Sequence, residues 1–144
     1  MANVIPDSFK TDLLKGTFNF DSSVGSTFKL ALYTDISGLT TSTTAFTTTN
    51  EVSTSGTSYS SGGNTLTNNG VAVSSNIAFV DFADLTFSSV TLSAVGALIY
   101  KSGGSNEAVL VLDFGGTKTA TNGDFVVQFP TASSSAAIIR LGNA

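Results

Sequence analysis

The chain has 144 residues, six Lys plus Arg, ten Asp plus Glu, and a formal net charge of −4. It has no His, Cys or Trp, which removes imidazole acid–base chemistry, thiolate nucleophiles, disulfides and thiolate metal sites. Charged residues make up only 11%, against roughly 25% in an ordinary domain, while 21 Ser and 21 Thr put a small hydroxyl on 42 positions. The six cations stand apart, at Lys10, Lys15, Lys29, Lys101, Lys118 and Arg140, so nothing offers the clustered positive charge that nucleic acid needs. No apolar run approaches the ~18 residues that span a bilayer, and the first residues lack the basic and apolar regions of a secretory signal. The expectation is a single domain that works without membrane, nucleic acid or cofactor and is made in a cytoplasm.

Residues 6–16 are the one predicted helix. Pro6 suits the first turn, Asp7 or Ser8 can cap it, Phe9, Leu13 and Leu14 share a face, and Gly16 offers a left-handed stop. So short a helix must dock on something, either its own domain or a neighbouring subunit. Residues 1–25 are therefore read as a segment of the same domain or an interface arm, and 26–144 as the body.

The period then changes to two. Phe28, Leu30 and Leu32 alternate with Lys29, Ala31 and Tyr33, which predicts a strand with one buried face. Residues 37–63 are more than half Ser or Thr, with Leu39, Ala45, Phe46, Val52 and Tyr59 as the few larger anchors. They predict a long surface excursion with short strands or a turn of helix, of the sort that lies against something.

Thr65–Thr67 and Val71–Val73 flank Asn68-Asn69-Gly70, a tight-turn sequence that predicts a hairpin. Strands follow at 77–82, at 90–100 with Gly96 as a bulge or close approach, and at 108–114. The last is apolar on both faces and reads as central. Gly115-Gly116 and Asn122-Gly123 bracket a connection, then come strands at 124–129 and 137–141. About eight strands joined by Gly-rich turns predict an all-β fold, a single β-sandwich of jelly-roll-like or other Greek-key type, with one short N-terminal helix.

Few motifs carry chemistry. Asp81 and Asp84 read as solvated strand-end carboxylates rather than a cation site. Asp113-Phe114-Gly115 lacks the companions of a kinase site, and Gly115-Gly116-Thr117-Lys118-Thr119 lacks the spacing of a phosphate loop, since position 112 is Leu. Tyr33 and Tyr59 look like the only exposed tyrosines, and stacking on sugars by them is the basis for a carbohydrate-binding alternative. No catalytic, cofactor or metal residue is assigned.

Several segments together resemble a known group of proteins. They are Phe28-Lys29-Leu30-Ala31-Leu32-Tyr33-Thr34, Thr47-Thr48-Thr49-Asn50-Glu51-Val52-Ser53, Asp81-Phe82-Ala83-Asp84, Gly96-Ala97-Leu98-Ile99-Tyr100, 108–115, Thr121-Asn122-Gly123-Asp124-Phe125 and Phe129-Pro130. Their order along nearly the whole chain resembles a family of small virion structural proteins of tailed bacteriophages. The departures are Val95, where that pattern often has Arg, and Phe87, where it often has Trp. The resemblance implies a non-enzymatic decoration, or cement, protein on the outer head surface, assembled in the host cytoplasm. Its implied partners are the major capsid protein and further copies of itself, a homotrimer before a dimer. A tail, neck or fibre component is the alternative role. The expected contact elements are the N-terminal segment through Leu14 and the excursion 37–63, with Phe9, Leu13, Leu14, Phe46 and Tyr59 as contact residues.

Overall fold

A computed structural model describes residues 2–143. Helix α1 (Asp7–Leu14) precedes seven strands: β1 (Phe28–Tyr33), β2 (Asn64–Thr65), β3 (Asn68–Ser74), β4 (Ile77–Phe82), β5 (Leu85–Lys101), β6 (Ala108–Val127) and β7 (Ile139–Leu141). They form two antiparallel sheets, ordered β2-β1-β5-β6 and β3-β4-β7. The all-β sandwich with one short helix is the fold the alternating pattern predicts.

The main core lies between the sheets. Phe28, Leu30 and Leu32 of β1, Ile99 and Ala97 of β5, Val109 of β6 and Val80 and Phe82 of β4 meet there. Phe9 of α1 and Phe18 and Phe20 of the following loop join the same cluster. Five rings form a connected series, with Phe20 stacked on Phe28 at 4.6 Å between centroids. Offset or tilted ring pairs of this kind add about 0.5–1.5 kcal/mol each beyond their buried area. Gly16, at φ +81°, ends α1 as expected, with its N–H donating to the Leu13 carbonyl and that of Thr17 to the Asp12 carbonyl. The start differs: Pro6 is the N-cap and no side chain caps it. Ser8 Oγ instead donates to the Thr43 carbonyl at 3.0 Å, and the Asp7 N–H to the Thr41 carbonyl at 2.9 Å. The helix thereby fastens to the Thr-rich segment.

β1 is not half-buried. Ala31 and Tyr33, expected outside, sit in a second core with Ile36, Leu39, Leu98, Tyr100, Ala108 and Val111, against which Phe46 packs. The Thr-rich excursion lies over the outer face of the four-stranded sheet and closes this second core. Alternation in sequence reports only that two faces differ, and here each face has its own apolar cover. The strand at 108–112 is buried on both sides for the same reason, although β6 is an edge strand rather than a central one.

The Asn68-Asn69-Gly70 hairpin does not form. Those residues begin β3, which bulges between Asn68 and Gly70, and β2 pairs with β1 instead. The tight turn is Ser75-Asn76, with φ of 52° and 63°, and it joins β3 to β4. Both central residues in the left-handed region are the requirement of a type I′ two-residue hairpin turn, and Ser75-Asn76 meets it.

The two strands predicted at 108–114 and 124–129 are one, β6. Between the pairs Ala94↔Lys118 and Gly96↔Asp113, β5 advances two residues and β6 five. Gly115 and Gly116, at φ +74° and +144°, absorb the difference as a bulge rather than a connection. Opposite it, Gly96 is the expected close approach: a Cβ there would lie 2.4 Å from the Leu112 carbonyl oxygen and 2.8 Å from an Ile36 methyl.

Candidate interaction surfaces

Three tyrosines and one carboxylate hold the excursion on the sheet. The Tyr59 hydroxyl donates to Glu51 Oε1 at 2.8 Å and accepts the Leu32 N–H at 3.0 Å. Glu51 also accepts from Ser61 Oγ at 2.7 Å and from the Gly62 N–H at 2.6 Å. The Tyr100 hydroxyl donates to the Gly62 carbonyl at 2.7 Å, and that of Tyr33 to the Thr47 carbonyl at 2.6 Å. Burial pushes all three phenols above their usual range, and the nearby Glu51 charge raises each further. They are held neutral as donors, in the way buried hydroxyls are when each has a partner.

This corrects the reading of Tyr33 and Tyr59 as exposed. Tyr33 is fully buried and Tyr59 is 3% exposed, so neither ring is presented to a sugar. Tyr33 looks like a surface residue from its place in the alternation of β1, and Tyr59 from its isolation in the Ser/Thr-rich stretch. The excursion 37–63 has so few large side chains that its anchors, Leu39, Val52 and Tyr59, point inward to hold it.

Of the five expected contact residues, four face the body. Phe9 and Tyr59 lie in the main core, Leu13 packs against it, and Phe46 stacks on Tyr100 at 4.7 Å. Leu14 alone projects, at 83% exposure. The helical face drawn through Phe9, Leu13 and Leu14 therefore divides, because Leu14 stands one residue, about 100° of rotation, past Leu13. Among the described residues, the other large exposed apolar side chains are Val24, Val71, Val73, Val126 and Leu141. Val71, Val73 and Leu141 belong to the three-stranded sheet, and sequence reasoning passed over them because short apolar runs in strands read as core.

The carboxylates are mostly fasteners of turns. Asp21 accepts from Val24 and Ser23 N–H, Asp35 from Ser37 N–H and Asp113 from Gly115 N–H, which holds all three below the usual carboxylate range. Asp81 accepts from the Asn69 side chain at 2.9 Å and Asp84 from the Phe129 N–H at 2.8 Å. Each therefore has a separate structural partner. Among the described residues no three His, Cys, Asp or Glu side chains gather where they could hold a metal ion. The largest remaining surface character is a dense array of uncharged hydroxyls, including Ser93 bonded to Thr119 across β5 and β6 at 2.7 Å. No helix among the described residues is long and apolar enough to cross a membrane.

The chain matches no protein-family model, no curated protein and no solved structure.

Proposed function

We propose that this protein is a structural component of a tailed-bacteriophage virion, a decoration protein that binds the outer head surface and bridges capsid subunits. The observation that carries the reading is the division of labour in the chain. Most of its aromatic and apolar side chains build two cores, while its outer surface is hydroxyl-rich, poor in charge and carries a few large apolar side chains. Such a surface is suited to being covered by protein, since it has little charge to desolvate. The end-to-end resemblance to small phage virion proteins supports the same reading.

Leu14 at the end of α1 is the contact residue this reading retains from the N-terminal segment. The Thr-rich excursion keeps its place as a contact element through its outer hydroxyls, not through Phe46 or Tyr59. Repetition over a shell would add avidity to individually modest contacts.

Particle composition tests the proposal. Purified heads are expected to carry the protein in many copies on their exterior, and heads stripped of it are expected to rebind it. Its presence in purified tails with absence from heads would replace this role by a tail, neck or fibre one. Absence from particles altogether would overturn both.

A further inference from the structure

The two sheets treat their edges differently. In the four-stranded sheet, Val4 bridges to Val111 on the outer side of β6, and Ala45 bridges to Glu107 just before it. On the other side, β2 and Glu51 pair with β1. In the three-stranded sheet, β3 is an outer strand with no strand paired on its far side, and the loop at Phe20–Ser22 packs only against its start, at Asn68 and Gly70.

Past the bulge at Asn68–Gly70, that edge has no further protection of the usual kind. Residues 70–74 are Gly-Val-Ala-Val-Ser, with no charge and no proline. Val71 is 56% and Val73 70% exposed, and Ala72 and Ser74 are exposed too. Ser74 and Ile77 close the two-residue turn, so Ser74 and Ala72 exchange backbone hydrogen bonds with β4. Val71 and Val73 then direct their N–H and C=O groups outward. Among the described residues, no loop or side chain hydrogen-bonds those groups.

We infer that β3 pairs antiparallel with β3 of a second copy about a twofold axis at Ala72. The strand is complementary to itself in that register. Val71 of each copy faces Val73 of the other, and each such pair exchanges two backbone hydrogen bonds through the outward groups. Ala72 faces Ala72 at the close, non-hydrogen-bonded position, about 4.5 Å between Cα atoms, where two methyl groups meet without crowding. No like charges meet along the strand, as they would if either edge carried the lysines that commonly guard one.

The pairing joins two three-stranded sheets into one of six. On its inward-facing side, Val71 and Val73 of both copies form one apolar surface, continued on each copy by Ala78 and Leu141, which share a row with Val73. An edge contact of five residues falls below the ~1,200–2,000 Å² of a stable interface, so the dimer is expected to depend on concentration. The contact is isologous and closes at two copies. It does not depend on the virion role, and the two can fail separately.

Sedimentation equilibrium of the full chain across a concentration series tests it, with V73P and V71K alongside. Proline at 73 removes an outward N–H while sparing the β4 ladder, and lysine at 71 changes only an exposed side chain. The wild type should pass from monomer to dimer as concentration rises. Both variants should stay monomeric with unchanged circular dichroism. In amide exchange, Val71 and Val73 should become protected only at high concentration, and Ala72 and Ser74 at every concentration. A wild type that stays monomeric throughout, forms a trimer, or dimerises equally well as V71K overturns the pairing. Capture of an unrelated extended peptide on β3 by a monomeric wild type would overturn it too and assign the edge to a different partner.

Discussion

The Tyr59 hydroxyl stands between a carboxylate and a strand, donating to Glu51 at 2.8 Å and accepting from the Leu32 N–H at 3.0 Å. One buried oxygen thus connects the Thr-rich excursion to the middle of the four-stranded sheet. Removing that oxygen by Tyr59→Phe leaves two polar partners short of a bond, at a cost of about 1–3 kcal/mol. Glu51→Ala removes the acceptor of Tyr59, Ser61 and Gly62 together and should cost at least as much. Chemical denaturation of both variants measures this. A loss below about 0.5 kcal/mol in either would show that the connection is dispensable.

The same burial sets the alkaline limit of stability. Tyr33, Tyr59 and Tyr100 all titrate above the free phenol value of about 10 when folded. Their contribution is therefore fully present below that pH and is lost as pH rises beyond it. Absorbance of tyrosinate should stay low in the folded protein above pH ~10, then appear in one step with unfolding. Independent ionisation of a tyrosine with the fold intact would contradict the buried network. The opposite sign holds for Asp21, Asp35 and Asp113, whose lowered values add stability above the ordinary carboxylate range that disappears as pH falls through it.

Gly63 and Gly38 should respond oppositely to alanine. At Gly63, φ is +72° and a Cβ would sit 1.8 Å from the Leu30 carbonyl oxygen, inside the backbone of β1. Gly63→Ala should cost about 3 kcal/mol or more, through steric displacement and strain together. At Gly38 a Cβ meets nothing within 4 Å, and the φ is not in the left-handed region. Gly38→Ala should be neutral or stabilise by up to about 1 kcal/mol. Thermal melts of the pair decide it.

Phe9 and Leu14 lie on one short helix and should separate just as clearly. Phe9 is 2% exposed and touches the rings of Phe18 and Phe20, so Phe9→Ala should cost about 3–5 kcal/mol. Leu14→Ser should change stability by no more than about 0.5 kcal/mol. If the virion reading holds, Leu14→Ser weakens binding to stripped heads while the protein stays folded. Deletion of residues 1–14 should by contrast destabilise the body, because it removes Phe9 and the Val4 bridge to β6.

Much of the local structure was legible without coordinates. Proline, glycine and spaced apolar residues delimit α1, and period-two alternation marks β1, β4 and most of β5. Gly96 reads as a close approach because nothing else in that strand lacks a side chain. The absence of His, Cys and Trp determines which chemistries are closed, whatever the fold.

Only the tertiary structure decided which faces are covered. Tyr33 and Ala31 alternate with Leu32 and Leu30 like surface residues, yet a second core forms over them because the excursion folds back on that face. Gly115-Gly116 can serve as a turn or a bulge, and pairing along the whole of β5 selects the bulge. Val71 and Val73 carry the apolar character of a buried strand, and their position at an uncovered edge leaves them exposed. Local sequence sets the conformations a segment can adopt; burial is a property of what arrives from elsewhere in the chain, and that is settled only when distant segments pack.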